Sequence, residues 1–435
     1  MKRMTKTIIA AAGLLSVLFC GGCTGGERAP KVYIDENAPE VAISLFAQGD
    51  TLSDTVKDCC TNVINPQYNK NIVVYSDYAS FYAEKGLSYR ELLLKRMESG
   101  MPDDLYIITA EDVLEFDRLG FIYDLSGLKC LDNLSEDALQ QSICNGKVFS
   151  VPLSYSSFGL IWNMDMLHRC GLEVPENQEE FFYVCETLKQ NGILPYGANR
   201  DFGISVPAMC AGLGPLYQSP NSGALVEELA EGETPVSAYM RDGFEFLETM
   251  VEKEYLDVER TLATLPDSEE EISFFAEGKC AFISSICRAR AFSHDYPFEV
   301  EMTALPVLPE GAICVVGADL RLTVNPKSEH FDEALLIVEN LCTKETLDSL
   351  AQKLGKVSTA KGNKAETLPQ ADKLVSCLVS GRQIPNQDFT LCFNTWNTIK
   401  GLCVELCEGA SVDQVCGEYD EMQKKELALY GGLRE

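Results

Sequence analysis

Residues 146–167 read GKVFSVPLSYSSFGLIWNMDML. This segment separates two regions of the chain whose apolar patterns differ. Before it, short alternating runs at Val41–Phe46, 72–76 and Leu105–Ile108 predict strands with amphipathic helices between them. After it, helical patterns dominate from about 157 to 277. The regular alternation of strand and helix predicts a βαβ layer with a parallel sheet in the first region.

A strand pattern returns later in the chain, at 280–284, 300–304 and 320–325. One helical face then follows from Phe331 to Cys342, and the last 70 or so residues are predicted to be almost wholly helical. A chain of 435 residues is too long for one compact core, so two domains are expected.

The N-terminus has the pattern of a lipoprotein signal peptide, residues 1–22. Three basic residues precede an apolar run at 8–19, and Gly21 and Gly22 stand directly before Cys23. A run of about a dozen apolar residues is too short to span a membrane, which takes roughly 20. The pattern resembles the bacterial lipobox, which implies that Cys23 carries fatty acyl chains such as palmitate. A flexible tether is expected at 23–40. A plain secretory signal is the alternative.

The mature chain is strongly acidic. Without the three basic signal residues, 33 Lys and Arg face 66 Asp and Glu, a net charge near −33. Such a surface repels nucleic acid and anionic lipid head groups, so both are excluded as partners. The membrane is reached through the lipid anchor only.

Eighteen cysteines in an exported chain would ordinarily indicate disulfides, but their neighbours here are apolar or helical. We expect most of them to be reduced and buried, with Cys59/Cys60 and Cys403/Cys407 as the pairs to check first. We expect no metal and no cofactor. Three isolated histidines, without HExxH, P-loop or nucleophile elbow, argue against an enzyme. Carboxylates are too numerous for a count to exclude a glycoside hydrolase.

A family resemblance rests on the segment 146–167 and on GLEVP at 171–175. Four further blocks occur in the same order: PDDLY (102–106), FAEGKCAF (275–282), LPVLP (305–309) and GASVD (409–413). Together they resemble the extracellular solute-binding lipoproteins of ABC importers, family 1, the sugar-binding group typified by maltose-binding protein.

The resemblance implies an α/β, two-lobe periplasmic-binding-protein-like fold with hinge crossover strands. We place lobe 1 at 41–153 and 306–345, and lobe 2, richer in helices, at 154–305 and 346–435. The implied function is capture of a small polar solute, a carbohydrate above all, and its delivery to ABC transporter permease subunits. A sensory receptor and a binder of an anionic solute such as a sugar acid are alternatives. We expect a monomer on the extracytoplasmic face of the cell membrane.

Candidate site residues in the first region follow predicted strands, because ligands in α/β folds bind at the carboxyl ends of strands. Glu111 and Asp112 align with a polar pair that grips sugar hydroxyls in the family; the alternative is a helix start, where acids are favoured. The predicted set here is Gln48, Asp77, Glu111, Asp112 and, on the hinge segment, Tyr155 and Ser156.

In the second region Trp396 lies at about the spacing of a stacking tryptophan in the family, with helix packing as the alternative. Ser285 and Arg288 stand where sugar binders of the group commonly carry a tryptophan. Arg200 lies in a loop that supplies polar contacts in relatives. Arg200 and Arg288 would instead favour a carboxylate or phosphate ligand.

Overall fold

A computed structural model describes residues 39–47, 50–76, 89–99, 103–362 and 369–430, all within one compact unit. The predicted signal peptide, Cys23, the tether up to position 38, Gln48 and Asp77 lie outside the described residues, and so does the side chain of Glu111.

Ten of the twelve described strands form one mixed sheet, in the order β2-β1-β3-β11-β6-β8-β7. β10 and β12 pair with β11, and β9 pairs with β6, while β4 and β5 form a separate hairpin. β1 is parallel to β2 and β3, as the sequence predicts, but β11 is antiparallel to β3 and to β6. The strands are β1 Val41–Phe46, β2 Ile72–Tyr75, β3 Leu105–Ile108, β4 Ile143–Cys144, β5 Lys147–Val148, β6 Val151–Asn163, β7 Leu194–Tyr196, β8 Cys280–Ile286, β9 Val300–Thr303, β10 Leu305–Leu308, β11 Gly311–Val324 and β12 Gln383–Pro385.

Helices cover both faces of the sheet. None in the described part of the chain is both long enough and apolar enough to cross a membrane. The α-helices are α1 Asp50–Cys59, α2 Asn65–Tyr68, α3 Tyr89–Glu98, α4 Val113–Leu119, α5 Glu136–Gln140, α6 Met164–Arg169, α7 Gln178–Gln190, α8 Phe202–Tyr217, α9 Ser222–Ala230, α10 Ser237–Glu252, α11 Val258–Ala263, α12 Glu269–Ala276, α13 Ala289–Phe292, α14 Phe331–Leu341, α15 Lys344–Leu354, α16 Asp372–Val379, α17 Trp396–Cys407 and α18 Val412–Tyr430.

The two longest strands, β6 and β11, lie next to each other in the interior of the sheet. They pair from Val151 with Leu322 to Phe158 with Val315. Beyond that point β6 continues against β8 and β9, up to Asn163. β6 is buried along its full length, which explains why its sequence is a nearly continuous apolar and small-residue run without alternation.

Three apolar clusters hold these elements together. The sheet core packs Ile43, Val56 and Leu322 with α14, and the helical core packs Trp162 and Phe282 with α7 and α10. A third, small core joins Tyr106 and Phe116 to Phe389, which comes from far along the chain. Trp162 is fully buried and its indole Nε1 donates to Thr303 Oγ1 at 2.9 Å, so it serves the core.

The predicted lobe boundaries stay a prediction, and the packing bears on where they lie. Leu305 and Val307 belong to the helical core, whereas Leu347 and Leu350 of α15 belong to the sheet core. The segment after α15 then runs beside β6, where Tyr155 pairs with Val357. β11 contributes to both cores, and the sheet core continues to Leu374 before Ile384 joins the helical core, so the packing changes later in the chain than 306 and 345. The sequence motifs did not reveal these changes in packing, because β11 contributes residues to both cores.

Candidate functional site

The carboxyl ends of the parallel strands converge on the middle of β6 and β11. β3 ends at Ile108, opposite Arg321 of β11, and Arg321 is opposite Pro152 of β6. From the other side β8 ends at Ile286, opposite Phe158. In open α/β sheets such a meeting of carboxyl ends is where ligands bind.

A cavity of about 330 Å³ lies beside this meeting point. It joins the segment after β3 to residues that follow β12 and to the end of α18. Its volume is near the lower limit of small-molecule sites, roughly 300 to 1,000 Å³. The lining residues are Arg90, Ala110, Leu114, Glu115, Gln387, Phe389, Phe393, Asn394, Asn397, Glu426 and Tyr430.

The one arginine that lines this cavity is neutralised. Arg90 Nε donates to Asp112 Oδ1 at 2.6 Å, and its Nη2 pairs with Glu115. Asp112 is buried and accepts from the Thr109 backbone N–H at 3.2 Å, as part of a capping box, and from the Thr109 hydroxyl at 2.8 Å. Asp112, a predicted site residue, thus holds Arg90 and the turn after β3. With Glu115 and Glu426 on the wall, the cavity carries net negative charge.

Amides form the opposite wall. Gln387 is buried and fixed, because its Oε1 accepts from the Thr395 backbone at 2.9 Å and its Nε2 donates to the Phe393 carbonyl at 2.9 Å. Asn394 Oδ1 accepts from the backbone N–H of Asn397 at 2.9 Å at the start of α17. Among the described residues the exposed amide of Asn397 has no hydrogen-bond partner, so it is available to a ligand.

Trp396 stands beside the cavity but its ring is turned into the helical core. It is 8 % exposed and lies 5.1 Å from the Phe158 ring, centroid to centroid. Lys400 Nζ lies 4.4 Å from the indole centroid and pairs with Asp201 at 2.6 Å. The structure thus gives Trp396 a packing role. Whether an edge also meets a solute stays a prediction.

The predicted hinge residues lie on opposite faces of β6. Ser156 Oγ donates to Asp319 at 2.6 Å, and Lys356 Nζ bridges Asp319 at 2.5 Å and Ser156 at 3.0 Å. Burial acts to raise the pKa of Asp319, but Lys356 and Ser156 hold it below its usual range. This hinge clasp, Ser156, Asp319 and Lys356, links β6, β11 and the segment after α15.

Tyr155 points to the other face. Its hydroxyl lies 2.8 Å from Ser135 Oγ and also contacts Asp137. Burial raises the pKa of Tyr155 and of Asp137, although the bond from Tyr155 itself favours the ionised Asp137. Tyr155 therefore ties α5 to the hinge strand, and nothing in this geometry joins it to the cavity.

The remaining predicted residues are separate from the cavity. Arg200 is exposed in the loop after β7, and Arg288 forms an ion pair with Asp267. Ser285 is buried and pairs with Gly159, so it shares a face with Ile283 rather than with Phe158. The structure thus brings together Asp112 and the neighbourhood of Trp396, and it leaves these three apart.

Sequence reasoning missed most of the cavity wall. Phe389, Phe393, Asn394 and Asn397 come from an irregular stretch with no period to read, and Arg90 lies on an exposed helix face. The one available signal was the pair of asparagines flanking the Thr395-Trp396 dipeptide.

Two other features of the molecule bear on where a site could lie. In the part of the chain that the structure describes, no group of His, Cys, Asp or Glu could hold a metal ion. A larger cavity of about 810 Å³ lies between α7, α8 and α10, on the flank of the helical core. Its wall includes Phe182, Asp242, Glu245 and Arg382, and Val307 and Leu308 at the end of β10 also line it.

The architecture matches known proteins over nearly its full length. A family 1 extracellular solute-binding protein from Bifidobacterium longum subsp. infantis superposes with a TM-score of 0.69 at 16 % identity, covering 89 % of this chain and 99 % of that one. The chain has the fold of the family 1 extracellular solute-binding proteins. This confirms the two-lobe α/β architecture predicted from the sequence.

Further similarities agree with this family 1 fold. A sugar transporter from Bacillus licheniformis, in complex with stachyose, has a TM-score of 0.62 at 17 % identity, over 90 % of this chain and 100 % of that one. In sequence, the chain is 25 % identical over 374 residues to the multiple sugar-binding protein of Streptococcus mutans, covering 82 % of each. No family model matches the sequence. The resemblance to solute-binding proteins of ABC sugar importers is confirmed, and these relatives are binding proteins rather than enzymes.

Proposed function

We propose that this protein is a lipid-anchored extracellular solute-binding protein that captures a small neutral carbohydrate between two lobes and delivers it to an ABC transporter permease. The names of its relatives support a sugar, since one is called a multiple sugar-binding protein and another holds stachyose. The lobes would move about β6 and β11, the two long strands whose residues belong to both cores.

The composition of the 330 Å³ cavity carries the proposal. The partly exposed ring of Tyr430 offers an apolar surface over the buried Phe389 and Phe393, and Asn397 offers an amide to hydroxyl groups. Sugar rings need this combination of apolar faces and hydrogen-bonding groups. The binding step needs no chemistry, so no acid, base or nucleophile has to be assigned.

The charges around the cavity favour a neutral solute over an anionic one. Arg90 is held by two carboxylates and Arg288 by Asp267, so neither guanidinium is available for bidentate binding of a carboxylate or phosphate. Glu115 and Glu426 would repel an anion. A sugar acid therefore fits this site less well than a neutral sugar.

The test uses the soluble fragment 24–435 in isothermal titration calorimetry and thermal shift. Stachyose is the neutral probe and galacturonic acid the anionic one. At 100 times its dissociation constant a ligand stabilises the folded state by about 2.7 kcal/mol, which gives a measurable shift in Tm. Asn397→Ala should weaken stachyose binding about tenfold through one lost hydrogen bond. Asn221→Ala, at an exposed position whose side chain makes no capping bond, is the matched control.

Three results would contradict the proposal. Binding of galacturonic acid but not of neutral sugars would indicate an anionic solute. Equal binding by the Asn397 and Asn221 variants would exclude the 330 Å³ cavity as the site. Release of reducing sugar from stachyose would indicate a glycoside hydrolase.

Anchoring and delivery need experiments in the native cell. Metabolic labelling with a palmitate analogue should mark the wild-type chain but not Cys23→Ala, which should also be released from the membrane fraction. Deletion of the gene should abolish uptake of the sugar that the purified fragment binds. Normal uptake in the deletion strain would favour a sensory role.

A further inference from the structure

Two cysteines from distant parts of the chain meet behind the hinge. Cys314 lies on β11 and Cys377 on α16, and both sulfur atoms are within hydrogen-bonding distance of the Arg382 carbonyl oxygen, at 3.5 and 3.2 Å. The two thiols also hydrogen bond to each other. Cys314 is buried, whereas Cys377 is only half-buried. Of the two contacting cysteines, Cys377 is thus the one nearer to solvent.

Two more thiols lie in the neighbourhood. Cys210 of α8 and Cys287, just after β8, are both close enough to act on the pKa of Cys314. The four sulfurs do not make a metal site, since no group among the described residues suits a metal ion. These four cysteines differ from the two pairs that the sequence singled out. Cys59/Cys60 and Cys403/Cys407 are neighbours within helical segments.

We propose that Cys314 and Cys377 are a redox-active pair, which closes to an internal disulfide by exchange with a low-molecular-weight disulfide such as oxidised glutathione. In the first step the Cys377 thiolate attacks a glutathione sulfur, which forms a mixed disulfide and expels one glutathione thiolate. In the second, the Cys314 thiolate attacks the Cys377 sulfur and expels the other. The two cysteines lose two protons and two electrons, and oxidised glutathione becomes two glutathione thiols.

The environments of the two thiols fit these roles. The hydrogen bond from Cys314 lowers the pKa of Cys377 against the effect of burial, and Arg382 lowers it further. Burial and the neighbouring Cys377 thiolate both raise the pKa of Cys314, so it stays protonated in the first step. Once Cys377 is in the mixed disulfide it carries no charge, and Cys314 can lose its proton to water as it attacks. The thiolate is the nucleophile in thiol–disulfide exchange, which makes Cys377 the attacking group.

The bond would fasten the C-terminal segment to the hinge strand. β12 pairs with β11 at Cys314↔Gln383 and leads directly to the cavity wall at Gln387. Cys314 and Cys377 both pack in the sheet core, so the bond would form within one core. By restricting the unfolded chain, it should raise Tm by roughly 3 to 6 °C.

The experiment treats the folded fragment 24–435 with oxidised glutathione, blocks free thiols and maps tryptic peptides without reduction. Cys314 falls in peptide 291–321 and Cys377 in 374–382, each with one cysteine, while Cys210 and Cys287 fall in 201–241 and 280–288. The expected product is 291–321 joined to 374–382, with a Tm rise that dithiothreitol reverses. Cys377→Ala and Cys314→Ala should abolish both, whereas the buried Cys403→Ala should leave both unchanged.

Other products would overturn the proposal. Joining of 374–382 to 201–241 would assign the partner of Cys377 to Cys210, and joining to 280–288 would assign it to Cys280 or Cys287, the two cysteines of that peptide. A stable glutathione adduct on Cys377 without an internal bond would show that Cys314 cannot reach it. Joining that occurs only in urea would mean that the folded protein does not react.

Discussion

Replacing Trp396 with alanine is expected to lower the free energy of unfolding by about 4 kcal/mol, because the ring fills the helical core. Trp396 is 8 % exposed. A tryptophan buries roughly 150 to 250 Å². At about 25 cal/mol per Å², that area corresponds to about 4 to 6 kcal/mol. The variant also loses the contact with Lys400, worth about 0.5 to 1 kcal/mol near the surface.

The assay is a urea titration followed by far-ultraviolet circular dichroism. The chain has two tryptophans, so fluorescence of the variant reports Trp162 alone and provides a second probe of the same core. Trp396→Phe keeps a ring against Phe158 and should lose only about 1 to 2 kcal/mol. It remains measurable if the alanine variant fails to fold.

One result would contradict a packing role for Trp396. If Trp396→Ala unfolds within about 1 kcal/mol of the wild type but binds stachyose 10-fold or more weakly, the ring stacks on the solute instead. Loss of stability with unchanged binding would support packing alone. The two roles left open by the sequence are thereby separated.

Three further predictions concern stability. Burial raises the pKa of Glu271 from 4.5 to about 7, so between these pH values the folded state holds a proton that the unfolded chain has lost. The free energy of unfolding should therefore fall by up to about 3 kcal/mol as pH rises across that window. In urea titrations, Glu271→Gln should flatten this pH profile. Lys356→Met should lose only about 1 kcal/mol in the same assay, because Asp319 is 41 % exposed and water can replace the ammonium group; a loss above about 3 kcal/mol would contradict this. Gly243→Ala should lose about 1 to 3 kcal/mol, since a Cβ there would overlap the Ala208 carbonyl oxygen, whereas Gly223→Ala, which has open space, should not be destabilised.

Strand positions were predictable where one face is apolar or the run is short. Val41–Phe46 and Leu105–Ile108 were predicted with their observed bounds. β11 was predicted only at 320–325, although it spans Gly311–Val324. Its first half is buried against strands on both sides and shows no alternation, so the period that identifies a strand is missing.

The site was less predictable because its walls meet only through the tertiary fold. Nothing local connects Arg90 with Asn397, and the intervening contacts depend on how β3, β11 and β12 are ordered in the sheet. The C-terminal region was predicted to be almost wholly helical, yet it contains β12 and a 3₁₀ turn at Phe389–Leu391 that carries Phe389 into the small core. The family resemblance supplied Asp112 and Trp396, but not their partners.

The order of strands in the sheet also has a consequence for how fast the chain can fold. β3 pairs with β11 from Leu105 to Val324, so the centre of the sheet cannot form until most of the chain is present. Contacts so distant in sequence slow folding, because the entropy of closing the loop is lost before the pairing is gained. A chain with this topology remains without tertiary structure longer than a helical bundle of equal stability. Slow folding suits the export that we propose, since the unfolded chain is the form that can be threaded through a membrane.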